Sequence, residues 1–429
     1  MNARAAAARI LRECRGGAFA DRVAERVLPE VPAADRGLAL EIAYGCLRLR
    51  ARLDRWIETY TDRPLARIDA DVLDWLRIGV YELKELRTPD HAAVSEAVGG
   101  ARRATDTGRA GFVNAVLRAV VADRKPDPFP SRDLDPAGWL ASWGSHPAWL
   151  IERWLSRWST HDVVRLVQAD NTPPSVVLRA LGSAPDGGGP GDPGPVKLEP
   201  LERWPRSRRL VSGTPAEALR RVRGVIQDPA ASAVVDYLGR PPEGPLYDAC
   251  AAPGTKTALL ADAAGGTVLA GDISRERLDR VRAAARRLDL SIACVVADAR
   301  MPPVSGARTV LVDVPCSGTG VLRRRPDARW RIDPRDLDAL ADVQGEILTA
   351  CARAVAVGGL LVYSTCSLEP EENVDQIERF LDENPGFARE PNPGAPVPEG
   401  CLTPEGDLFV RPWVTGTDGA YAARLRRQR

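Results

Sequence analysis

Residues 246–272 read LYDACAAPGTKTALLADAAGGTVLAGD, and this stretch decides the fold class of the carboxyl-terminal half of the chain. Two short apolar runs enclose a small-residue turn and a helical stretch, a pattern typical of two parallel strands joined by a helix. Further apolar runs follow in SIACVVAD (291–298), TVLVDVP (309–315) and LLVYSTC (360–366). Short apolar runs alternating with helices predict an α/β domain built around a parallel sheet.

The ends of the first three predicted strands carry residues suited to an adenosine-bearing cofactor. A small-residue turn at 250–256 follows the first strand, where backbone N–H groups can approach a ligand closely. Asp272 can accept both hydroxyls of a ribose, and Asp298 can accept from an adenine amino group. An acid after a strand can also simply cap a helix. The absence of G-x-x-x-x-G-K-[ST] and G-x-G-x-x-G motifs disfavours nucleoside triphosphates and nicotinamide dinucleotides, and favours S-adenosylmethionine.

Two cysteines follow the fourth and fifth predicted strands: Cys316 in DVPCSGTG and Cys366 in YSTCS. A buried cysteine is usually a small hydrophobe, but these two are expected to face the cofactor together. Carbon 5 of cytosine is a poor nucleophile, and a thiolate that adds to carbon 6 activates it. Loss of the carbon 5 proton and release of the thiolate then need a second thiol or another base. The two cysteines therefore indicate cytosine-5 methylation.

Two charged residues are candidates to support this chemistry. Asp313, at the end of the fourth strand, can hold the amino group and ring nitrogen of cytosine. Lys256 can keep a thiolate ionised, or it can be a solvated residue of the helix. The residues alone also leave open which thiol attacks and which assists release.

The amino-terminal residues 2–123 predict consecutive helices. Leu73, Leu76, Val80 and Leu83, for example, share one helical face. The Pro-rich stretch 125–136 predicts a linker. We therefore expect a helical domain at 1–125, a linker with a small α/β adaptor at 126–240 and a catalytic domain at 241–429.

Within the adaptor we expect a Trp-rich helix from Pro147 to about Gln168, followed by the strand SVVLRA. The stretch PDGGGPGDPGP (185–195) predicts a mobile surface loop. TPAEALRRV (214–222) predicts a helix capped by its threonine.

Composition and charge exclude several classes of protein. The chain has 429 residues with 44% hydrophobic and 27% charged, as in globular proteins, and its net charge of +1 means that any RNA site must be local. No apolar run is long enough to span a membrane, and no signal-peptide core is present, so we expect a cytoplasmic protein. Eight cysteines without a C-x-x-C pair and only three histidines disfavour a metal site. We expect free thiols and a monomer.

These motifs resemble those of the RsmB/Sun family of 16S ribosomal RNA (cytosine-5)-methyltransferases, within the NOL/NOP/Sun superfamily. The matching stretches are DACAAPGTKT (248–257), DVPCSGTGVLRRRPDARWR (313–331), YSTCSLEPEEN (363–373) and TGTDGAYAARL (415–425). The amino-terminal part resembles the family's NusB-like RNA-binding domain, for example in LRIGVYEL and GFVNAVLR. The resemblance implies a multidomain protein with an all-α NusB-like domain followed by an α/β, Rossmann-like class I S-adenosylmethionine-dependent methyltransferase domain.

The resemblance also implies roles for individual residues. Cys366 would be the nucleophile and Cys316 would assist release of the covalent adduct. The residues implied to line the S-adenosylmethionine site are Cys250, Ala251, Ala252, Pro253, Gly254, Thr255, Lys256, Asp272, Asp298 and Asp313. The family turn usually reads A-P-G-G-K, and Thr255 replaces its second glycine, which leaves the local backbone geometry open.

The implied substrate is small-subunit ribosomal RNA. The candidate contacts are Arg323, Arg324, Arg325, Arg329 and Trp330, a basic and aromatic segment suited to phosphates and a stacked base. A second basic cluster comprises Arg48, Arg50, Arg52 and Arg55. Solvated charges and surface salt bridges are the alternative for both groups.

Two other functions are alternatives to RNA cytosine-5 methylation. The first is a non-catalytic RNA-binding assembly factor, which the presence of both Cys316 and Cys366 disfavours. The second is a transfer RNA methyltransferase, which the NusB-like helices disfavour.

Overall fold

Consecutive helices occupy residues 3–122, as the apolar spacing predicts. The structure is a computed structural model that describes residues 1–122, 125–182 and 196–429. Leu73, Leu76, Val80 and Leu83 all contribute to one apolar core. The helices through residue 171 are α1 (Ala3–Arg15), α2 (Ala20–Val27), α3 (Arg36–Arg48), α4 (Arg50–Thr59), α5 (Ala70–Lys84), α6 (Asp90–Ala104), α7 (Thr107–Ala122), α8 (Pro136–Ser142), α9 (Ala148–Leu155) and α10 (Thr160–Asn171).

These ten helices belong to one compact unit, here called the helical unit. It comprises Met1–Pro173 and Leu322–Ile332, so a distant segment of the chain completes it. No helix runs through residues 125–135, in agreement with their proline content. Helix α8 begins at Pro136, where the Asp135 carboxylate accepts from the N–H of Gly138 over 2.8 Å.

The single Trp-rich helix expected from Pro147 to about Gln168 is wrong. The chain forms α9 and α10, with a break between residues 155 and 160. Ser159 causes a new start, because its side chain accepts from the N–H of Asp162 and caps α10. Apolar spacing alone did not distinguish one long helix from two short ones.

The second compact unit, here called the α/β unit, comprises Pro174–Val321 and Asp333–Arg429. Its elements are β1 (Val177–Ala180), β2 (Lys197–Leu201), β3 (Trp204–Ser212), α11 (Pro215–Arg221), β4 (Gly224–Ile226), α12 (Pro229–Leu238), β5 (Leu246–Asp248), α13 (Thr255–Ala264), β6 (Val268–Asp272), α14 (Arg275–Leu288), β7 (Ile292–Val296), β8 (Ala307–Asp313), α15 (Pro334–Ala354), β9 (Val355–Thr365), α16 (Val374–Glu383), β10 (Phe387–Arg389), β11 (Leu408–Val410), α17 (Pro412–Thr415) and β12 (Ala420–Arg427).

The main sheet contains all five strands predicted from the apolar runs. Its order is β10-β12-β9-β8-β5-β6-β7, with β11 paired to β12. Strands β5 to β9 pair in parallel, and β12 joins β9 in antiparallel orientation. One apolar core of this unit contains the buried tyrosines Tyr247, Tyr363 and Tyr421. A smaller antiparallel sheet has the order β2-β3-β1-β4.

The two units divide the chain differently from the expected domains at 1–125, 126–240 and 241–429. Helices α8 to α10 belong to the helical unit, whereas β1 to β4 and α12 belong to the α/β unit. The reason is burial: Val234, Tyr237 and Leu238 of α12 share one core with strands of the main sheet. The helix predicted at 214–222 forms, with a capping box between Thr214 and Glu217.

Two further expectations concern the loop at 185–195 and the absence of membrane-spanning helices. The loop expected at 185–195 lies outside the described residues. Within the described ranges, none of the helices has the length and apolar character needed to cross a membrane.

Candidate active site

The carboxyl ends of the five parallel strands meet at one edge of the main sheet. Strands β8 and β5 are neighbours at its centre, with β9 beyond β8 and with β6 and β7 beyond β5. The strand order therefore changes direction between β5 and β8, and ligands of such sheets bind in the crevice at that point. The candidate residues lie on both sides of it.

Cys316 and Cys366, here called the thiol pair, lie in direct contact. Their Sγ atoms are 3.2 Å apart, and the backbone N–H of Cys366 donates to Sγ of Cys316 over 3.4 Å. The pairing of β8 with β9 explains this contact, because it sets Asp313 opposite Ser364. Each cysteine then follows its strand within three residues.

Lys256 is not a solvated residue of its helix. Its ammonium donates to Oδ2 of Asp313 over 2.8 Å, and Ser364 donates to Oδ1 of the same carboxylate over 2.8 Å. Burial by itself lowers the pKa of Lys256, but the Asp313 carboxylate outweighs burial, so this pKa is raised. Lys256 therefore stays charged at the end of β8.

The two thiols differ in their electrostatic surroundings. The hydrogen bond with Cys366 and burial together raise the pKa of the Cys316 thiol well above its ordinary value. A negative charge on Cys366 would favour the ammonium form of Lys256. A thiolate at Cys366 would therefore lie in the field of a cation.

The turn that follows β5 keeps its backbone geometry although Thr255 replaces the second glycine of the family motif. Gly254 adopts the left-handed conformation with φ +98°, and a Cβ there would lie 3.1 Å from Val281. Thr255 is the first residue of α13, and its hydroxyl accepts from Gln227 over 3.1 Å. The essential glycine is present, and Thr255 occupies a position that any helix former can take.

Asp272 and Asp298 lie at the ends of β6 and β7 and each has an arginine partner. Arg277 contacts Oδ1 of Asp272 at 2.8 Å, whereas Oδ2 accepts no hydrogen bond from any described residue. Arg300 binds both oxygens of Asp298, with a shortest distance of 2.7 Å, and lowers the pKa of that carboxyl. Free acceptor capacity on Asp272 next to the turn of backbone N–H groups fits an adenosine-bearing cofactor.

Asp248 lies beneath the same turn and is 1% exposed. The hydroxyl of Thr257 donates to its Oδ2 over 2.7 Å. Burial raises the pKa of Asp248 to about 7 despite this hydrogen bond. The Asp248 carboxyl therefore supports the turn through its hydrogen bond with Thr257, and it is partly protonated near pH 7.

Sequence reasoning missed Glu372, which is fully buried beside the thiol pair. Its carboxylate accepts from Ser317, Ser367 and Gln344. The signal was present, since Glu372 lies in the quoted motif YSTCSLEPEEN. The motif contains three glutamates, however, and nothing local distinguishes Glu372 from Glu369 and Glu371.

The motif TGTDGAYAARL contributes to the site through Gly419. Its N–H donates to the carbonyl of Gly320 over 2.7 Å. A Cβ on Gly320 would lie 2.7 Å from the carbonyl oxygen of Cys366 and 2.9 Å from Cα of Gly419. Both glycines are needed for this close approach of the Cys316 loop, the Cys366 loop and the end of the chain.

The expected RNA contact by Arg329 is contradicted by its burial. Arg329 is 0% exposed within the helical unit, and its guanidinium donates to the carbonyls of Arg48, Ser145 and Asp170. Arg323 is also buried, and the indole N–H of Trp330 donates to the Leu47 carbonyl over 2.7 Å. Charge identifies a basic segment, but only packing shows where its side chains lie.

Of the same segment, Arg325 is exposed and Arg324 half-buried. These two residues remain candidates for contact with RNA.

The second basic cluster is used mainly for packing within the helical unit. Arg48 is buried. Arg52 stacks on Trp143 at 4.2 Å and pairs with Glu85 at 3.1 Å. Arg55 lies 3.7 Å from Glu58, and Arg50 lies 5.4 Å from the ring of Trp330. The salt-bridge and packing interpretation therefore fits this cluster better than a dedicated RNA site.

Comparisons with known proteins bear on both parts of the chain. Residues 237–426 match the family model for 16S rRNA methyltransferase RsmB/F, and residues 1–122 match the NusB family. Ribosomal RNA small subunit methyltransferase B of Pseudomonas putida is 34% identical, over 99% of this chain and 98% of that protein.

Two solved structures share the fold. PH0851 has a TM-score of 0.76 at 22% identity, over 100% of this chain and 99% of that chain. A methyltransferase homolog from Pyrococcus horikoshii has a TM-score of 0.54 at 21% identity, over 70% of this chain and 100% of that chain. The expected fold class, NusB-like helices followed by an α/β methyltransferase domain, is confirmed.

Proposed function

Because this chain belongs to the ribosomal RNA small subunit methyltransferase B family, we propose that it methylates carbon 5 of a cytosine in 16S ribosomal RNA through a covalent cysteine–cytosine intermediate. The observation that carries this proposal is the thiol pair, with 3.2 Å between its sulfur atoms, beside the Lys256–Asp313 ion pair. A nitrogen or oxygen that is already nucleophilic needs no thiol for methylation, whereas carbon 5 does.

Cys366 is the proposed nucleophile. Its thiolate adds to carbon 6 of the ring, and Lys256 favours that thiolate because its ammonium interacts with Cys366. Asp313 can accept from the exocyclic amino group, which distinguishes cytosine from uracil, whose carbonyl at this position offers no donor. Ser364 and Lys256 hold the Asp313 carboxylate in place by two hydrogen bonds of 2.8 Å.

Cys316 is proposed to assist release of the adduct. After methyl transfer the carbon 5 proton must leave before the Cys366 thiolate can be eliminated. The Cys316 sulfur is in contact with the attacking sulfur and therefore lies close to the bond that must break. The raised pKa of Cys316 makes its thiolate a stronger base than an ordinary one.

S-adenosylmethionine supplies the methyl group when bound. Asp272 would accept from its ribose hydroxyls, and Asp298 would hold the adenine amino group. The turn from Cys250 to Lys256 would offer backbone N–H groups beside the thiol pair. The ribosomal RNA itself would meet exposed basic side chains such as Arg325.

The deciding experiment compares two variants of the full chain incubated with 16S ribosomal RNA and S-adenosylmethionine. Cys366→Ala should be inactive and form no covalent RNA complex. Cys316→Ala should stall after addition and methyl transfer, as a protein–RNA adduct that survives denaturing electrophoresis. Cys294→Ala is the matched control and should retain activity without accumulating adduct, because Cys294 lies within β7.

Other outcomes are equally informative. Adduct in Cys366→Ala but not in Cys316→Ala would exchange the two roles. Absence of adduct in both variants, with full activity in one of them, would refute covalent catalysis by the thiol pair. Methyl incorporation into ribosomal RNA but not transfer RNA of a deletion strain is expected, and the opposite result would overturn the substrate assignment.

A further inference from the structure

Glu372 is a buried carboxylate that contacts the loops of both thiols. It is 0% exposed. Oε1 accepts from the backbone N–H of Ser317 over 2.8 Å and from the Gln344 amide over 2.9 Å. Oε2 accepts from the hydroxyls of Ser317 and Ser367. Four donors therefore converge on one side chain.

The two serines are the residues that directly follow the two cysteines. Ser317 follows Cys316, and Ser367 follows Cys366. One carboxylate thus links the loop after β8 to the loop after β9, next to both sulfur atoms. Thr319 adds a parallel link, because its hydroxyl lies 3.3 Å from that of Ser367 and accepts from the N–H of Leu368 over 2.9 Å.

The partners of the Glu372 carboxylate described above are neutral hydrogen-bond donors. Within the described ranges, neither an arginine nor a lysine lies within ion-pair distance of it. Burial of a carboxylate is costly unless hydrogen bonds replace its hydration. Hydrogen bonds to a charged acceptor are stronger and shorter than neutral ones. The hydrogen bonds of the buried Glu372 carboxylate therefore hold the two loops in a fixed relative position.

We propose that Glu372 is the positioning residue for the thiol pair: it fixes the Ser317 and Ser367 loops relative to each other and thereby sets the contact between Cys316 and Cys366. Glu372 contacts neither sulfur in the hydrogen-bond network described above. It acts through the two serines. The catalytic role of this positioning rests on the proposed function of the thiol pair. The geometric effect itself does not depend on what the thiols do.

The test measures how closely the two thiols are held, without any RNA. In glutathione redox buffers, one oxidised glutathione converts the pair to a disulfide and releases two reduced glutathione molecules, so the equilibrium constant gives the effective concentration of one thiol toward the other. The Cys316–Cys366 peptide is quantified by mass spectrometry after alkylation of free thiols. Calorimetry with S-adenosylmethionine on each variant reports whether the neighbouring cofactor site is intact.

Glu372→Gln should lower this effective concentration by at least about tenfold, because the amide presents a donor where two hydroxyls donate. If that variant does not fold, Ser317→Ala and Ser367→Ala test the same link by removing one donor each. Glu378→Gln is the matched control, because Glu378 is an exposed residue of α16, and it should leave the constant unchanged. Cofactor affinity should stay within about twofold in all folded variants.

An effective concentration within about twofold of the unsubstituted chain in the folded Glu372 and serine variants would overturn the inference. That result would leave the proposed function intact. A tenfold loss in a protein whose Cys316→Ala and Cys366→Ala variants both form no RNA adduct, with full activity in one of them, would instead support the positioning role and refute covalent catalysis by the thiol pair.

Discussion

Replacement of Arg329 by methionine should destabilise the helical unit. The guanidinium is fully buried and donates to the carbonyls of Arg48 at 3.1 Å, Ser145 at 2.9 Å and Asp170 at 3.2 Å. It also donates to the side chain of Asn171 at 2.9 Å. Methionine has a similar length but no donor, so these acceptors would lose their partner in a site that water cannot reach.

Two opposing effects decide the magnitude. A hydrogen bond from a charged donor contributes about 1.5 to 3 kcal/mol, so four such bonds contribute at least about 6 kcal/mol. Burial lowers the pKa of Arg329 to about 10 from its ordinary value of 12.5. At about 1.4 kcal/mol per pKa unit, removal of this unfavourable buried charge raises the free energy of unfolding by about 3 kcal/mol. The hydrogen bonds prevail, and we expect a net loss of at least about 3 kcal/mol.

Tryptophan fluorescence during urea unfolding is a suitable assay. Eight of the ten tryptophans belong to the helical unit, so the signal reports mainly on that unit. Arg325→Ala is the matched control from the same segment and should change stability by less than about 0.5 kcal/mol, because Arg325 is exposed.

Arg329→Lys separates packing from RNA contact. Lysine preserves a phosphate contact but cannot reproduce the planar array of donors, so we expect it to be about as destabilising as methionine. A folded Arg329→Met variant that loses less than about 1 kcal/mol, while the salt dependence of its RNA binding becomes weaker by about one phosphate contact, would refute the packing argument.

The remaining predictions concern the cofactor side of the site. Asp272→Ala should weaken S-adenosylmethionine binding by about 1.5 to 3 kcal/mol through loss of hydrogen bonds to a charged acceptor, and unchanged affinity by calorimetry would remove this assignment. Asp248 has a pKa of about 7 when folded, so between about pH 4 and 7 the folded state holds a proton that the unfolded state has lost, and stability should fall by up to about 1.4 kcal/mol per pH unit as pH rises. Asp248→Asn should abolish this contribution in urea unfolding followed by circular dichroism, and an unchanged pH slope would contradict it.

The sequence predicted the parts of the fold that follow from local pattern. Five apolar runs became strands β5 to β9, and the residues singled out at their ends lie at one sheet edge. The contact between Cys316 and Cys366 followed from this, because the two strands they follow are neighbours. Local pattern is sufficient here because parallel strands end at a common edge.

The sequence did not predict which charged side chains turn inward. Arg325 and Arg329 are identical residues four positions apart, yet one is exposed and the other is the most buried arginine of its segment. Glu372 is buried, whereas its neighbour Glu371 is only half-buried. Burial of a charge depends on acceptors or donors supplied by distant parts of the chain, such as the Ser145 carbonyl for Arg329. The spacing of residues along the sequence does not show which distant groups these partners are.

The return of residues 322–332 to the helical unit has a consequence for biosynthesis. The carbonyls of Arg48 and Ser145 are made early, but the guanidinium that binds them is added only when residue 329 has been translated. At about 5 to 20 residues per second, the roughly 150 intervening residues take on the order of 10 s. During that interval the nascent helices lack their last buried partner and must keep those carbonyls hydrated. The amino-terminal part of this protein is therefore first to emerge from the ribosome but cannot be complete until most of the α/β unit has also been synthesised.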